Sequence, residues 1–418
     1  MNKRAFLQNM GALSMAPLAM AMAPPSTKLK ELLPKVSDES ALWEMVRSHY
    51  QLKPDYINLE SGYYNIIPQP TLEYFTEHIR TINYEGSYYM RTVRVEDKKR
   101  VSAALAQLVG ASEEEVIITR NTTESLDTII GGFPWKKGDE AVYALQDYGA
   151  MRVMFEQVAE KYGVVCKEVS VPNHPQSDEE IVELYARQIT SKTRLLMVCH
   201  MINITGQILP IRKICDMAHE KGVEVMVDGA HCVAHFDFSI ADLDCDYYGS
   251  SLHKWLATPL GAGLLYVRKD KIEKIWPRFA DYEKDKSQIW RLNHTGTHPC
   301  HTDLAILNAI DYLEWIGLKR KEERLRQLKN YWQDKLTEVA GVVINTPREA
   351  ERSCGIGNIG LERMGAREMA TRLLEDHGIF TVGIEYANVN GCRISPNVFT
   401  TFDELDHFIE SVKTMARG

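Results

Sequence analysis

The chain has 418 residues, 44% hydrophobic and 25% charged, an ordinary globular composition long enough for roughly two or three domains with a sizeable core. Its formal charge of -8 excludes the basic face that a binder of nucleic acid or of anionic membranes needs to meet phosphates. No window approaches the ~18 uninterrupted apolar residues of a membrane span, and neither a repeat period nor a low-complexity tract is visible.

Residues 1–23 fall into three parts: a start with Lys3 and Arg4, a weakly apolar stretch containing Pro17, and Ala-Met-Ala before Pro24 and Pro25. That arrangement is expected of an export leader. Lys3-Arg4-Ala5-Phe6-Leu7-Gln8 resembles the twin-arginine signal with Lys in place of the first Arg, which implies a periplasmic or secreted destination reached after folding. A frayed arm on a cytoplasmic protein is the alternative. Cleavage fits Ala19/Ala21 and Ala21/Ala23 equally. Residues 24–57 are expected to pack on a small C-terminal domain.

Short apolar runs then alternate with helical intervals: 116–119, 141–143, 164–166, 195–198, 223–227 and 263–267 read as strands. They predict an α/β domain over residues 58–300, built on a mainly parallel sheet. Residues 302–336 become long and helical, and the mixed charges from Lys319 to Arg324 read as a solvated helix face. Short strands and helices near 366–377 and 402–415 predict a smaller α+β domain within 301–418. The eight cysteines form no Cys-x-x-Cys pair and read mostly as buried hydrophobes.

Three features carry chemistry. Strand 116–119 runs into Arg120-Asn121-Thr122-Thr123-Glu124, where Asn121 and Glu124 have the spacing of a capping box. Thr122 and Thr123 then lie in a first helical turn, among free N–H groups suited to an anion. Asp228 ends a strand, where open α/β sheets place ligand sites; a helix cap is its plainer reading. Lys254 sits between Ser250-Ser251 and bulky Trp255, a setting that desolvates an amine and suits Schiff-base chemistry.

Asp228-Gly229-Ala230-His231, the run from Cys245 to Leu256, and the run from Gly261 to Arg268 resemble the class V aminotransferase superfamily, in its isopenicillin N epimerase-like branch. The segment from Tyr56 to Tyr64 resembles that branch's Leu-Asn-x-Gly opening, with departures at Glu60 and Ser61. The resemblance extends from about residue 55 to the C-terminus. It implies the fold type I architecture of pyridoxal 5'-phosphate (PLP) enzymes, with a large domain on a seven-stranded-type sheet and a smaller α+β domain. Lys254 would hold the cofactor covalently, and Asp228 would pair with its protonated pyridine nitrogen. Asn203 would bond the phenolic oxygen, with His231 nearby, and Tyr148 would stack on the ring. Thr122, Thr123, Ser251 and His253 would hold the phosphate. Thr297 would reach the phosphate of a neighbouring subunit, implying a homodimer. Arg393, in an Arg-x-Ser-Pro context, would grip a substrate carboxylate.

Two clusters mimic metal sites: His294, His298, Cys300 and His301, and His231, Cys232 and His235. Neither has an established zinc spacing, so no metal is expected. Tyr63, Tyr64, Tyr88, Tyr89 and Arg91 read either as a substrate entrance or as packing and dimer contacts. The expected activity is PLP-dependent chemistry on the amino group, Cα or Cβ of an amino acid or an amino-acid-containing metabolite, by transamination or epimerisation. A desulfurase-like or C–S lyase activity is the runner-up. It is disfavoured because residues 382–391, upstream of Arg393, lack a cysteine. A non-catalytic PLP-binding scaffold is the reading from another class.

Overall fold

The computed structural model describes residues 28–417, so the expected leader lies outside the described residues. After a two-residue strand β1 (Ile57–Asn58), seven strands form one sheet. Their spatial order is β2 (Val116–Thr119), β8 (Gly263–Val267), β7 (Tyr247–Ser251), β6 (Glu224–Asp228), β5 (Thr193–Cys199), β3 (Glu140–Ala144) and β4 (Val165–Val169). The pairs β7–β6, β6–β5, β5–β3 and β3–β4 are parallel, while β8 runs antiparallel to β2 and β7.

The central strands are apolar on consecutive residues because both faces are covered. Leu196, Val198, Val225 and Val227 face a layer that holds Leu105, Ile214 and Ile306. Leu195, Met197 and Met226 face the opposite layer, with Ile129 and Phe155. β7 escapes an apolar-run search, since Tyr-Tyr-Gly-Ser-Ser is half polar, yet every residue of it is buried.

A second sheet follows the order β12 (Val382–Tyr386), β13 (Val389–Ile394), β10 (Gly357–Leu361) and β9 (Val342–Ile344), all antiparallel. Helices Ala366–Glu375 and Phe402–Arg417 bury Met369, Leu373, Phe408 and Val412 in its core. β1 pairs in parallel with β11 (Ile379–Phe380). Leu29, Leu42 and Val46 join a cluster with Trp255, Tyr312, Leu325 and Val398, where the two units meet, and Arg47 Nη2 donates to Glu404 Oε1 at 2.8 Å.

The long helical stretch is two helices, Cys300–Ile316 and Leu318–Leu336, broken at Gly317 with φ 90°. The first packs Ile306, Ala309, Ile310 and Leu313 into the core of the large sheet. The expected solvated face from Lys319 to Arg324 is corrected at two positions. Lys321 and Arg324 are buried, because positions 321, 325, 328 and 332 form one helical stripe turned inward. Lys321 Nζ donates to the carbonyl of Trp255, and Arg324 Nη2 donates to Thr400 O at 3.0 Å.

Candidate active site

The ends of β2, β5, β6 and β7 meet at one edge of the large sheet. Cys199 is paired with Asp228, Asp228 with Gly249, and Gly263 lies opposite both Thr119 and Ser251. Gly263 permits that convergence, since a Cβ there would come within 2.7 Å of the Asn121 backbone. Thr122 is thereby set against Ser251. Its N–H donates to Ser251 Oγ at 3.0 Å, and the two hydroxyls are 2.7 Å apart.

Helix Thr122–Gly132 starts as expected at Asn121, whose Oδ1 accepts from Glu124 N at 2.8 Å. Glu124 reaches one residue beyond a capping box: its Oε2 accepts from Arg120 N at 2.6 Å, and Oε1 from Arg120 Nη2 at 2.8 Å. The positive end of the helix dipole and the Thr122, Thr123 and Ser251 hydroxyls make this corner suitable for a phosphate.

A cavity of about 380 Å³ opens at this edge. Thr122, Thr123, Tyr148, Asn203, Asp228, His231, Ser251, His253, Lys254 and Arg393 all line it. Thr297 does not; it is exposed on the loop before helix Cys300–Ile316. Tyr63 lines the mouth, whereas Tyr89 is buried and donates to Asp97 Oδ2 at 2.9 Å.

Lys254 Nζ lies 3.1 Å from His231 Nε2. Burial pushes the lysine ammonium down to about 8, with the Asp228 carboxylate pulling the other way. His231 is held well below its usual range, by burial first and by the neighbouring Lys254 charge second. Trp255 Nε1 approaches His231 Nδ1 at 3.5 Å, its N–H aimed at that ring nitrogen. Burial raises the Asp228 carboxyl, while the Ala230 N–H, at 2.9 Å from Oδ1, and Lys254 oppose the rise. His253 is pushed to about 4 by burial, and its buried Nδ1 has no protein partner. Such an orphaned atom on a cavity wall is a place for a ligand to satisfy.

The lysine turn is fixed from three sides. Trp255 stacks on His235 with ring centroids 3.8 Å apart, and Lys321 holds its carbonyl. Asn65 Nδ2 donates to Lys254 O at 2.6 Å, while Asn65 Oδ1 accepts from Asn397 Nδ2 at 2.6 Å. Gly229 passes so close to Tyr248 that a Cβ would lie 2.0 Å from the ring.

Sequence reasoning missed Asn65, Asp147 and the role of Glu60. Asp147 is fully buried, accepts from Ala144 N at 2.7 Å, and is raised to about 7 by that burial. Glu60 pairs with Arg393: Nε donates to Oε2 at 3.1 Å and Nη2 to Oε1. The presumed cation grip thus carries a carboxylate of the chain itself.

The histidine and cysteine clusters have separate duties. His298 Nε2 meets Asp303 Oδ2 at 2.9 Å, His301 packs on Phe75, and His294 on Tyr282. His235 Nδ1 contacts His231 O at 2.8 Å, and His235 Nε2 accepts from Gly355 N at 2.8 Å. All eight cysteines are free thiols, and every one except Cys166 is buried.

The site therefore combines an anion corner, a buried strand-end acid and an amine of lowered pKa. The chain is similar to the isopenicillin N epimerase of Streptomyces clavuligerus, 25% identical over 390 residues that span 89% of this chain and 98% of that protein. Its fold is similar to a cysteine desulfurase from Thermococcus onnurineus NA1, with a TM-score of 0.81 and 22% identity, over 92% of this chain and 100% of that one. It is also similar to a C-DES variant with glycine covalently linked to its PLP cofactor, with a TM-score of 0.80 and 20% identity, over 88% and 98%. The sequence model described as Aminotransferase class-V matches residues 71–408, and with most of its length inside that match, the chain belongs to the Aminotransferase class-V family.

Proposed function

We propose that the chain is a PLP-dependent enzyme acting on the amino group, Cα or Cβ of an amino acid or amino-acid-containing metabolite, by transamination or epimerisation. The carrying observation is Lys254: a crowded amine of lowered pKa, 3.1 Å from a neutral histidine, in one cavity with Asp228 and the Thr122–Ser251 corner. These residues fit the cofactor. The aldehyde matches the Lys254 amine, the phosphate the helix N-terminus with its hydroxyls, and the unpartnered His253 Nδ1 awaits a polar group. When bound, PLP supplies an electron sink for charge developing on substrate carbon.

The protein does the rest. A carboxylate at Asp228, buried on the cavity wall, would favour a cationic ring nitrogen over a neutral one. Lys254 would take or return the proton at Cα, and its lowered pKa suits that work near neutrality. His231 stands beside Lys254 and orients it. A second acid or base for epimerisation has to come from elsewhere on the cavity wall, and the hydroxyls of Tyr63 and Tyr148 are available there.

Desulfurase chemistry needs a reactive thiolate. Cys392 is buried and pushed up to about 12 by that burial, and Cys199, the thiol on the cavity wall, is raised by burial as well. We further propose a homodimer, supported by exposed apolar groups at the mouth, Tyr63 at 72% and Leu260 at 64%, and by Thr297 standing outside its own site. Export through residues 1–23 is likewise proposed, on the leader pattern alone.

Borohydride reduction of the purified holoprotein, followed by peptide mapping, is expected to place the cofactor on Lys254. A label elsewhere, or none, refutes the assignment.

A further inference from the structure

Three permanent or potential cations line the cavity besides its histidines: Arg120, Lys254 and Arg393. Arg120 is committed to Glu124 at 2.8 Å. Lys254 is reserved for the cofactor in the reading above. Arg393 is engaged through three nitrogens, with Nε and Nη2 on Glu60 and Nη1 donating to Asn203 O at 3.1 Å. His231 and His253 are both lowered by burial and bring no charge near neutral pH.

Glu60 is built into this place. It is 8% exposed, and its N–H donates to Asn58 Oδ1 at 3.0 Å. Its Oε2 accepts from Ser395 Oγ at 3.3 Å, and its backbone bridges to Ser395 in parallel. Gly62 lets the same segment lie flat on the guanidinium, since a Cβ there would come within 3.1 Å of Arg393 Cζ. Swinging away would cost the carboxylate its hydrogen bonds to Arg393 and to Ser395 Oγ. Its charge cancels that of Arg393, and a second carboxylate arriving beside it meets a like charge in a partly dry site.

We propose that Glu60 sets the substrate class: the site takes a primary amine whose carbon carries no free carboxylate, such as an amino-terminal residue with its carboxyl in an amide bond, and rejects free α-amino acids. The proposal rests on the PLP reading and narrows it. Arg393 then serves as a positioning residue, holding Glu60 and the Asn203 carbonyl at the cavity wall. A neutral amide group accepts a remaining guanidinium N–H without adding charge.

The test is a spectral titration of the holoprotein near neutral pH with matched pairs, L-alanine against L-alaninamide and L-phenylalanine against its amide. Apparent Kd values are corrected for the fraction of unprotonated amine. Wild type is expected to bind each amide about tenfold or more tightly than the acid. Glu60→Gln keeps the shape and frees the cation, so it should shift the acid-to-amide ratio about tenfold toward the acid. It should also gain binding of propionate, read by thermal shift without turnover. Equal or tighter binding of the acids by wild type overturns the proposal, as does an unchanged ratio in the variant. If Glu60→Gln is insoluble, the wild-type comparison decides alone. A holoprotein without cofactor on Lys254 overturns the functional reading itself, whereas a labelled Lys254 with acid preference overturns only the role of Glu60.

Discussion

The depressed Lys254 pKa has a direct kinetic consequence. Only an unprotonated amine attacks an aldehyde, so capture of PLP by the apoprotein should follow the titration of that one group. With its pKa at about 8, about one amine in ten is neutral at pH 7, against roughly one in a few thousand for an ordinary lysine at about 10.4. The gain is ~200-fold, or about 3 kcal/mol. Asp228 opposes it by favouring the ammonium form. Asp228→Asn should therefore move the midpoint of the capture-rate profile below that of wild type and speed capture near neutrality. Turnover should fall, because nothing then holds the ring nitrogen cationic. Stopped-flow absorbance, with the apoprotein mixed with PLP from pH 6 to 10, gives both profiles. A wild-type midpoint near that of free lysine, or an Asp228→Asn midpoint above the wild-type value, refutes the electrostatic account.

Lys321 is buried and lowered to about 7 by that burial. Between that value and the ordinary lysine range the unfolded chain holds a proton that the folded chain lacks, so this residue makes stability rise with pH in that window. Lys321→Met should flatten the rise and show its largest relative gain at or below pH 7, fading toward pH 10; urea unfolding at both ends checks it, and an unchanged slope refutes it. Gly229→Ala forces a Cβ to 2.0 Å from the Tyr248 ring and should cost about 3 kcal/mol in unfolding free energy. Pairing it with Tyr248→Leu should restore part of that loss, and a stable single variant would contradict the packing. Cys392→Ala should retain turnover, since the thiol is buried and points its hydrogen at Ala366 O, 3.5 Å away. Abolished activity in that variant with its fold intact would bring the persulfide route back.

Six of the seven strands of the large sheet are legible from local signals, as are the Thr122–Thr123 turn, Asp228 and Lys254, whereas Tyr148, Asn203, His231, Ser251, His253 and Arg393 come from the family resemblance. Apolar runs mark the strands, Asn121 marks the start of a helix, Asp228 ends a strand, and Lys254 sits in the turn just past another. The features that escape are relations between distant segments. Glu60 and Arg393 are 333 residues apart, and nothing local to either names the other as its partner. Asn65 reaches Lys254 across 189 residues. Lys321 sits in a run of charges whose composition signals solvent, and only the helical phase set by Leu325, Leu328 and Trp332 turns it inward. β7 is hidden for the opposite reason: its small polar residues are buried by neighbours that no local window contains.

Asn65 joins the backbone of Lys254 to the side chain of Asn397. During synthesis residue 397 is made after every strand of the large sheet. The lysine turn is thus fully braced only after residue 397 has emerged, and a nascent chain that has exposed the large sheet alone still lacks the clasp that steadies its reactive amine.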